Sequence, residues 1–339
     1  MPCRWASTCW ATACATCSTP RRANDPSHAP RPPPRRRRPF RRALSFWLKY
    51  PRRRLRRFRR ADRPPMTLLH VENLRVTFPT RQGPAEVVRG VSFTLGRERL
   101  GIVGESGSGK SQTGRAILGL TPPPGRATAD RLEFDGIDLR AATPRQWRGL
   151  RGIRMSMVMQ DPKFSLNPVM TIGRQLMEAA RRTASRAEAR DRAMAMLEAV
   201  QIRDPARVFG AYPHELSGGM GQRAMIAMML IAEPDLLIAD EPTSALDVTV
   251  QIEVLRILDR LVQDRGMGLV FISHDLRLVG SFCDRVLVMY AGRVVEELKA
   301  AELAQARHPY TQGLLNCLPR IEGGRRPLPV LTREEGWAL

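Results

Sequence analysis

Cysteine is scarce in this chain of 339 residues, and four of its six cysteines (Cys3, Cys9, Cys14 and Cys17) crowd into the first 17 positions. That distribution excludes a disulfide framework and fits a reducing compartment. Cys14 and Cys17 have C-x-x-C spacing, but no second pair at metal-ligand spacing follows, so no metal site is expected there. Long apolar runs are also missing. Nothing approaches the ~20 residues of a membrane span. The segment ALSFWL near the start is too short for a signal-peptide core, lies too far into the chain, and is flanked by arginines. A membrane role must therefore come through partners. Acidic residues are nearly absent from residues 1–65, which hold two against 19 Lys+Arg; residues 66–339 hold 31 against 36. The formal charge of +22 thus belongs to the leader, and the remainder is nearly balanced. Sustained heptads and internal repeats are missing too.

What is there falls into three parts. Residues 1–65, with RPPPRRRRPFRR and PRRRLRRFRR, cannot bury enough apolar surface to offset their ordering entropy. They read either as a polybasic tail attracted to anionic lipid or nucleic acid, or as a start assigned too early. The pattern that opens at Met66 favours the second reading. From Met66 the signals are those of an α/β fold. Residues 68–78 and 87–95 alternate around the turn-rich TRQGP, as an antiparallel pair does. LGIVG (100–104), MSMVMQ (155–160), LLIAD (236–240), LVFIS (269–273) and VLVMY (286–290) are continuous apolar runs expected of strands buried on both faces. Residues 250–265 carry Leu255, Leu258, Leu261 and Val262 on one helical stripe ending at Gly266. Residues 161–230 lack a convincing strand and read as a helical subdomain inserted into a mostly parallel sheet domain. Within it Ser185 and Glu188 form a capping box, with Met194, Leu197 and Val200 on the buried stripe. Residues 66–297 are one domain, and 298–339 form a C-terminal extension.

The chemistry begins at GESGSGKS (104–111), which fits G-x-x-x-x-G-K-[ST] between a buried strand and a helix. Gly104, Gly107 and Gly109 let backbone N–H groups converge on phosphate oxygens, aided by the helix N-terminus. Lys110 reaches the β/γ-phosphates and Ser111 binds Mg2+. LLIADE places Asp240 at the carboxyl end of a central strand, where it also holds Mg2+, and Glu241 next to it to orient an attacking water. Gln160 and His274 end buried strands on the same edge. A second glycine loop, LSGGMGQ (216–222), offers another anion site capped by Ser217. Two such loops far apart on one chain cannot both wrap one nucleotide, whereas two chains facing head to tail can exchange them.

The order GESGSGKS, Gln160, LSGGMGQ, LLIADE, SALD (244–247) and His274 resembles the ATP-binding-cassette ATPases over about residues 67–297. The resemblance implies a P-loop NTPase core with an antiparallel β subdomain and an inserted α-helical subdomain. It implies ATP bound by Gly104, Glu105, Ser106, Gly107, Ser108, Gly109, Lys110, Ser111 and Gln112, with Phe78 stacked on adenine. Mg2+ falls to Ser111, Gln160 and Asp240, and catalysis to Glu241, His274, Lys110 and Gln160. Ser217, Gly218, Gly219 and Gln222 face the partner's ATP, and Asp247 lies in the D-loop. HPYTQGLL (308–315), with QDPKFSLNPVMTIGRQ, narrows the resemblance to ATPase subunits of oligopeptide/dipeptide importers, a group that includes nickel and glutathione importers. Members often carry a cysteine-rich C-terminal segment, whereas here only Cys317 is present. Implied partners are two permease subunits, a second cassette (paralogue or self) and, indirectly, a substrate-binding protein, at the cytoplasmic face of the plasma membrane. Nucleic acid is not expected. A soluble cassette acting on nucleic acid or ribosomes and an exporter ATPase are the rival readings. The single cassette and HPYTQGLL argue against both.

Overall fold

The structure, a computed structural model, describes residues 67–161, 165–318 and 337. The expectations for residues 1–65, and those for most of the chain beyond Leu318, lie outside the described residues. The first sheet is antiparallel. Strands β1 (Leu69–Thr80) and β2 (Gly83–Leu95) form a hairpin in which Thr80 pairs with Gly83 across Arg81–Gln82. Gly83 takes φ 111°, a left-handed backbone that only glycine adopts without strain. Three short strands, β4 (Arg126–Thr128), β5 (Arg131–Phe134) and β6 (Ile137–Asp138), complete this sheet.

The second sheet runs β11-β10-β3-β9-β8-β7, where β3 is Arg99–Val103, β7 Met155–Val158, β8 Leu236–Asp240, β9 Gly268–Ile272, β10 Arg285–Tyr290 and β11 Arg293–Lys299. All pairings are parallel except β10–β11. Alternate residues of one strand point to opposite faces. Leu236, Ile238, Val270 and Ile272 enter the core shared with the antiparallel sheet and α1 (Lys110–Ile117). Leu237, Ala239, Leu269 and Phe271 enter the core shared with the other helices. Both faces are dry, which is why the strands read as unbroken apolar runs.

After β3 and α1, helix α2 (Pro144–Leu150) starts at a capping box made by Thr143 and Gln146. Between β7 and β8 the described residues hold α3 (Ile172–Ala180), α4 (Arg186–Ala199), α5 (Pro205–Gly210), a 3-10 turn at Pro213–Glu215 and α6 (Gly218–Leu230), with no strand among them. Ser185 caps α4 by accepting from the Glu188 N–H, and the Glu188 carboxylate meets Arg192 at 2.9 Å. The buried stripe of α4 differs from the expected one. Ala189, Ala193, Met196 and Leu197 face the core with Val200, and Met194 is only half-buried. Helix α7 (Val248–Arg265) ends at Gly266 with φ 61° as expected, but buries Val254 and Ile257 and leaves Leu255 half-exposed. Helix α8 (Leu276–Phe282), a 3-10 segment at Ala300–Gln305 and α9 (Pro309–Asn316) close the described chain. Among the described residues no helix is long and apolar enough to cross a membrane.

Candidate nucleotide site

Parallel strands deliver their carboxyl ends to one edge, and the candidate residues gather there. Strand β3 runs directly into the loop 104–109 and α1. Gly104, Gly107 and Gly109 all take positive φ (151°, 84° and 95°). A Cβ on Gly104 would lie 2.1 Å from the Met289 carbonyl oxygen, and one on Gly109 2.6 Å from that of Val87. Glycine is therefore needed for close approach as well as for conformation. Gly109 caps α1 with no side chain on its first N–H groups, so the helix offers them to an anion. Lys110 is 7% exposed. Its Nζ donates to the carbonyls of Gly104 (2.7 Å) and Glu105 (2.6 Å) and to Ser108 Oγ (3.2 Å). Burial pushes the Lys110 ammonium below the ordinary lysine range, and the charges of Glu241, Asp240 and Glu105 oppose that shift. Ser106 and Gly107 are exposed at the loop tip, and Glu105 is half-buried.

Asp240 ends β8 at 2% exposure and accepts a hydrogen bond from Ser111 Oγ at 3.0 Å. Burial raises its carboxyl above the ordinary aspartate range, the Ser111 bond opposes this, and Glu241 adds to it. Glu241 follows with φ 46°, a conformation a non-glycine residue holds only under constraint. Its N–H donates to the Ile272 carbonyl at 2.9 Å. One carboxylate oxygen accepts from Gln160 Nε2 at 3.1 Å, and the other lies 2.9 Å from His274 Nδ1. Residues from the ends of β7, β8 and β9 are thus joined in one chain, Gln160–Glu241–His274, beside Lys110 and Ser111.

The second glycine loop is elsewhere. Ser217 caps α6 by accepting from the Met220 N–H. Ser217 and Gly218 are exposed, and no hydrogen bond among the described residues joins them to the first loop. Gly219 packs on the loop that follows β8, where its Cβ would lie 3.2 Å from the Ala245 carbonyl oxygen. Gln222 departs from its expected place against a partner's nucleotide. It is wholly buried, donates to the carbonyls of Pro242 (2.7 Å) and Glu241 (3.3 Å), and accepts from the Ala245 N–H at 3.1 Å. A buried amide with three partners in its own chain has no surface left for a second one. Asp247 is exposed and caps α7 through the Val250 N–H at 3.1 Å. Phe78 is half-buried on β1 with its ring over Gly125. Its cross-strand partner Ala85 is two residues from Val87, whose carbonyl meets Gly109. The Gln112 side chain is half-buried, and among the described residues its Oε1 has no hydrogen-bond partner.

The family described as ABC transporter matches residues 88–244. Dipeptide transport ATP-binding protein DppD of Escherichia coli K12 is 46% identical over 270 residues, covering 78% of this chain and 83% of that protein. Oligopeptide transport ATP-binding protein OppD of Salmonella typhimurium is 47% identical over 266 residues, covering 77% and 79%. The chain belongs to the ABC transporter family. Among solved structures, the dimeric post-hydrolysis state of the ATP-binding cassette MJ0796 bound to ADP and Pi matches with a TM-score of 0.63 at 26% identity, over 68% of this chain and 98% of that one. The structure of cbiO1 from Clostridium perfringens, part of the ABC transporter complex cbiONQ, matches at a TM-score of 0.58 and 26% identity, covering 70% of this chain and 91% of that one.

Within this ABC cassette two supports of the site escaped the sequence reading. The β10–β11 turn braces the glycine loop after β3, because the Gly292 N–H donates to the Ser108 carbonyl at 3.2 Å. Gln222 ties the second glycine loop's helix to the backbone of Glu241. The invariant spacing of a motif does not say which of its side chains turn inward. A glutamine four residues beyond the first exposed glycine, on a mostly apolar helix, was the available signal.

Proposed function

We propose that the chain is the ATP-hydrolysing subunit of an ABC importer for peptides, working as one of two cassettes beneath two permease subunits at the cytoplasmic face of the membrane. The observation that carries this reading is the meeting of Lys110 and the Ser111–Asp240 pair with the Gln160–Glu241–His274 chain at one sheet edge. The peptide class rests on the likeness to DppD and OppD, whose names state dipeptide and oligopeptide transport.

In this reading backbone N–H groups of residues 104–112 hold the phosphates, and Lys110 keeps the Gly104 carbonyl while its other N–H bonds turn from Glu105 and Ser108 to the β- and γ-phosphate oxygens. Phe78 lies against adenine. Ser111, Asp240 and Gln160 would hold Mg2+. The oxygens of a hydroxyl, a carboxylate and an amide suit a hard divalent cation, and nearby positive charge reverses the desolvation that raises Asp240. When bound, that ion neutralises charge developing on the phosphate oxygens. Glu241 accepts the proton of the attacking water, His274 and Gln160 fix its carboxylate, and Lys110 stabilises the transferring group. Ser217, Gly218 and Gly219 supply exposed donors to the facing cassette's ATP, and the Asp247 turn lies at that same seam. A substrate-binding protein acts on the far side of the permeases.

The test is ATP binding and hydrolysis by the full chain, alone and with its permeases. Lys110→Ala abolishes binding, and transported peptide stimulates the assembled ATPase. Hydrolysis that survives Lys110→Ala, or that is stimulated by nucleic acid and not by the permeases, contradicts the reading.

A further inference from the structure

HPYTQGLL (308–315) is part of the sequence resemblance to peptide importers, yet none of the chemistry above uses it. In the structure each of its first five residues has a task. His308 Nδ1 accepts from the Tyr310 N–H at 3.2 Å and caps α9, and Pro309 occupies the helix's first turn. Thr311 is wholly buried, and Gln312 Nε2 donates to the Ala306 carbonyl at 2.9 Å. Glu296 fixes the entry to the helix by accepting from the N–H groups of Arg307 (2.7 Å) and His308 (3.3 Å). All of this fixes Tyr310, which is 0% exposed and is packed by the rings of Tyr290 (centroids 4.6 Å) and Trp337 (5.7 Å). Its hydroxyl accepts a hydrogen bond from the Glu105 N–H at 3.0 Å, across 205 residues of sequence.

That N–H belongs to the same peptide unit as the Gly104 carbonyl, which Lys110 Nζ holds at 2.7 Å. One peptide plane is therefore pinned at both ends, its oxygen by the phosphate-binding lysine and its nitrogen by the C-terminal tyrosine. The plane follows a glycine at φ 151°. With no Cβ on Gly104 to resist rotation from that side, it would otherwise turn over more readily, withdrawing the Gly104 carbonyl from Lys110 and re-aiming the start of the loop.

We propose that Tyr310 is a positioning residue of the nucleotide site, and that HPYTQGLL serves to seat its hydroxyl under the first peptide of the phosphate-binding loop. The inference rests on the reading of that loop as the ATP site. Tyr310 touches no phosphate and acts through the Gly104–Glu105 peptide. Pre-organising the loop strengthens ATP binding alike in the ground and transition states. Losing the hydroxyl strands a half-buried N–H, an effect of roughly five- to thirty-fold in an equilibrium constant.

The experiment compares the full chain with Tyr310→Phe, which keeps the ring and its packing. Three readouts are taken: calorimetric Kd for ATP with Mg2+, KM and kcat of the permease-assembled ATPase, and hydrogen exchange of the peptide spanning Glu105. The expected result is a Kd and KM raised roughly five- to thirty-fold, a kcat within about twofold, and an exchange protection at Glu105 that the variant loses. A melting temperature near that of the wild type excludes unfolding as the cause. Equal Kd and equal exchange in the two proteins overturn the assignment, as does a lowered kcat with KM unchanged. Failure of the wild type itself to bind ATP overturns the functional reading first and this inference with it.

Discussion

Replacing Gln222 with Met keeps the length of the side chain and removes its polar end. Met accepts the burial but cannot serve the Pro242 and Glu241 carbonyls or the Ala245 N–H. The Glu241 carbonyl retains the Ser244 N–H at 3.3 Å and its hydroxyl at 3.1 Å. Pro242 is buried, so stranding its carbonyl costs about 1–3 kcal/mol. Ala245 is exposed and its N–H reaches water, leaving a net loss of about 0.5–1.5 kcal/mol. The sum is about 1.5–4.5 kcal/mol, which lowers the melting temperature by roughly 3–18 °C for a domain of this size. The Glu241 backbone, held at φ 46°, then relaxes and carries its carboxylate away from Gln160 and His274. Hydrolysis at saturating ATP falls, while ATP affinity, set by the loop after β3, changes little. Thermal unfolding of the full chain and steady-state hydrolysis measure the two effects. A melting temperature within about 2 °C of the wild type, together with normal turnover, refutes the role given to Gln222.

Asp240→Asn separates stability from activity. The folded carboxyl is raised above the ordinary aspartate value of 3.8, so its stabilising contribution is complete in acid and is lost as pH rises through the folded value. At neutral pH the buried charge is a burden that Asn lifts while keeping the Ser111 bond. The variant therefore melts higher without nucleotide yet loses Mg2+-dependent hydrolysis, and a variant that melts lower at pH 7 contradicts the argument. Glu241→Gln keeps ATP binding and lowers turnover by about 100-fold or more, as loss of a general base does, and wild-type turnover in it removes Glu241 from that role. Ser217→Arg places a bulky cation where the facing cassette's phosphate is expected and blocks hydrolysis at that partner's site; an unaffected rate in the assembled transporter rejects the exchange of loops.

The long parallel strands were legible because burial on both faces demands uninterrupted apolar residues, and the turn from β3 into α1 because its glycines answer a backbone requirement. Strands β4 to β6 were not, since runs of two to four residues are too short to carry usable periodicity. The start of α2 was available in Thr143-Pro144 and Gln146 and was overlooked. Helices α4 and α7 were placed correctly, but their buried faces are offset from the expected ones. Ala189 and Ala193 line the core of α4, where alanine gives a weak signal next to the methionines. What the sequence hides most completely are the long-range polar contacts. Nothing local announces that Tyr310 meets Glu105, or that Gln222 turns inward while Ser217 stays out.

The central claim is that ATP is held at a seam between two cassettes, each contributing one glycine loop. It is tested most directly by determining the structure of the ATP-bound Glu241→Gln chain in its transporter assembly. The account predicts the γ-phosphate between Lys110 of one cassette and the second glycine loop of the facing one, with Ser217–Gly219 of this chain at the opposite nucleotide. ATP fully held by one cassette, with residues 217–219 distant from any phosphate, would contradict it.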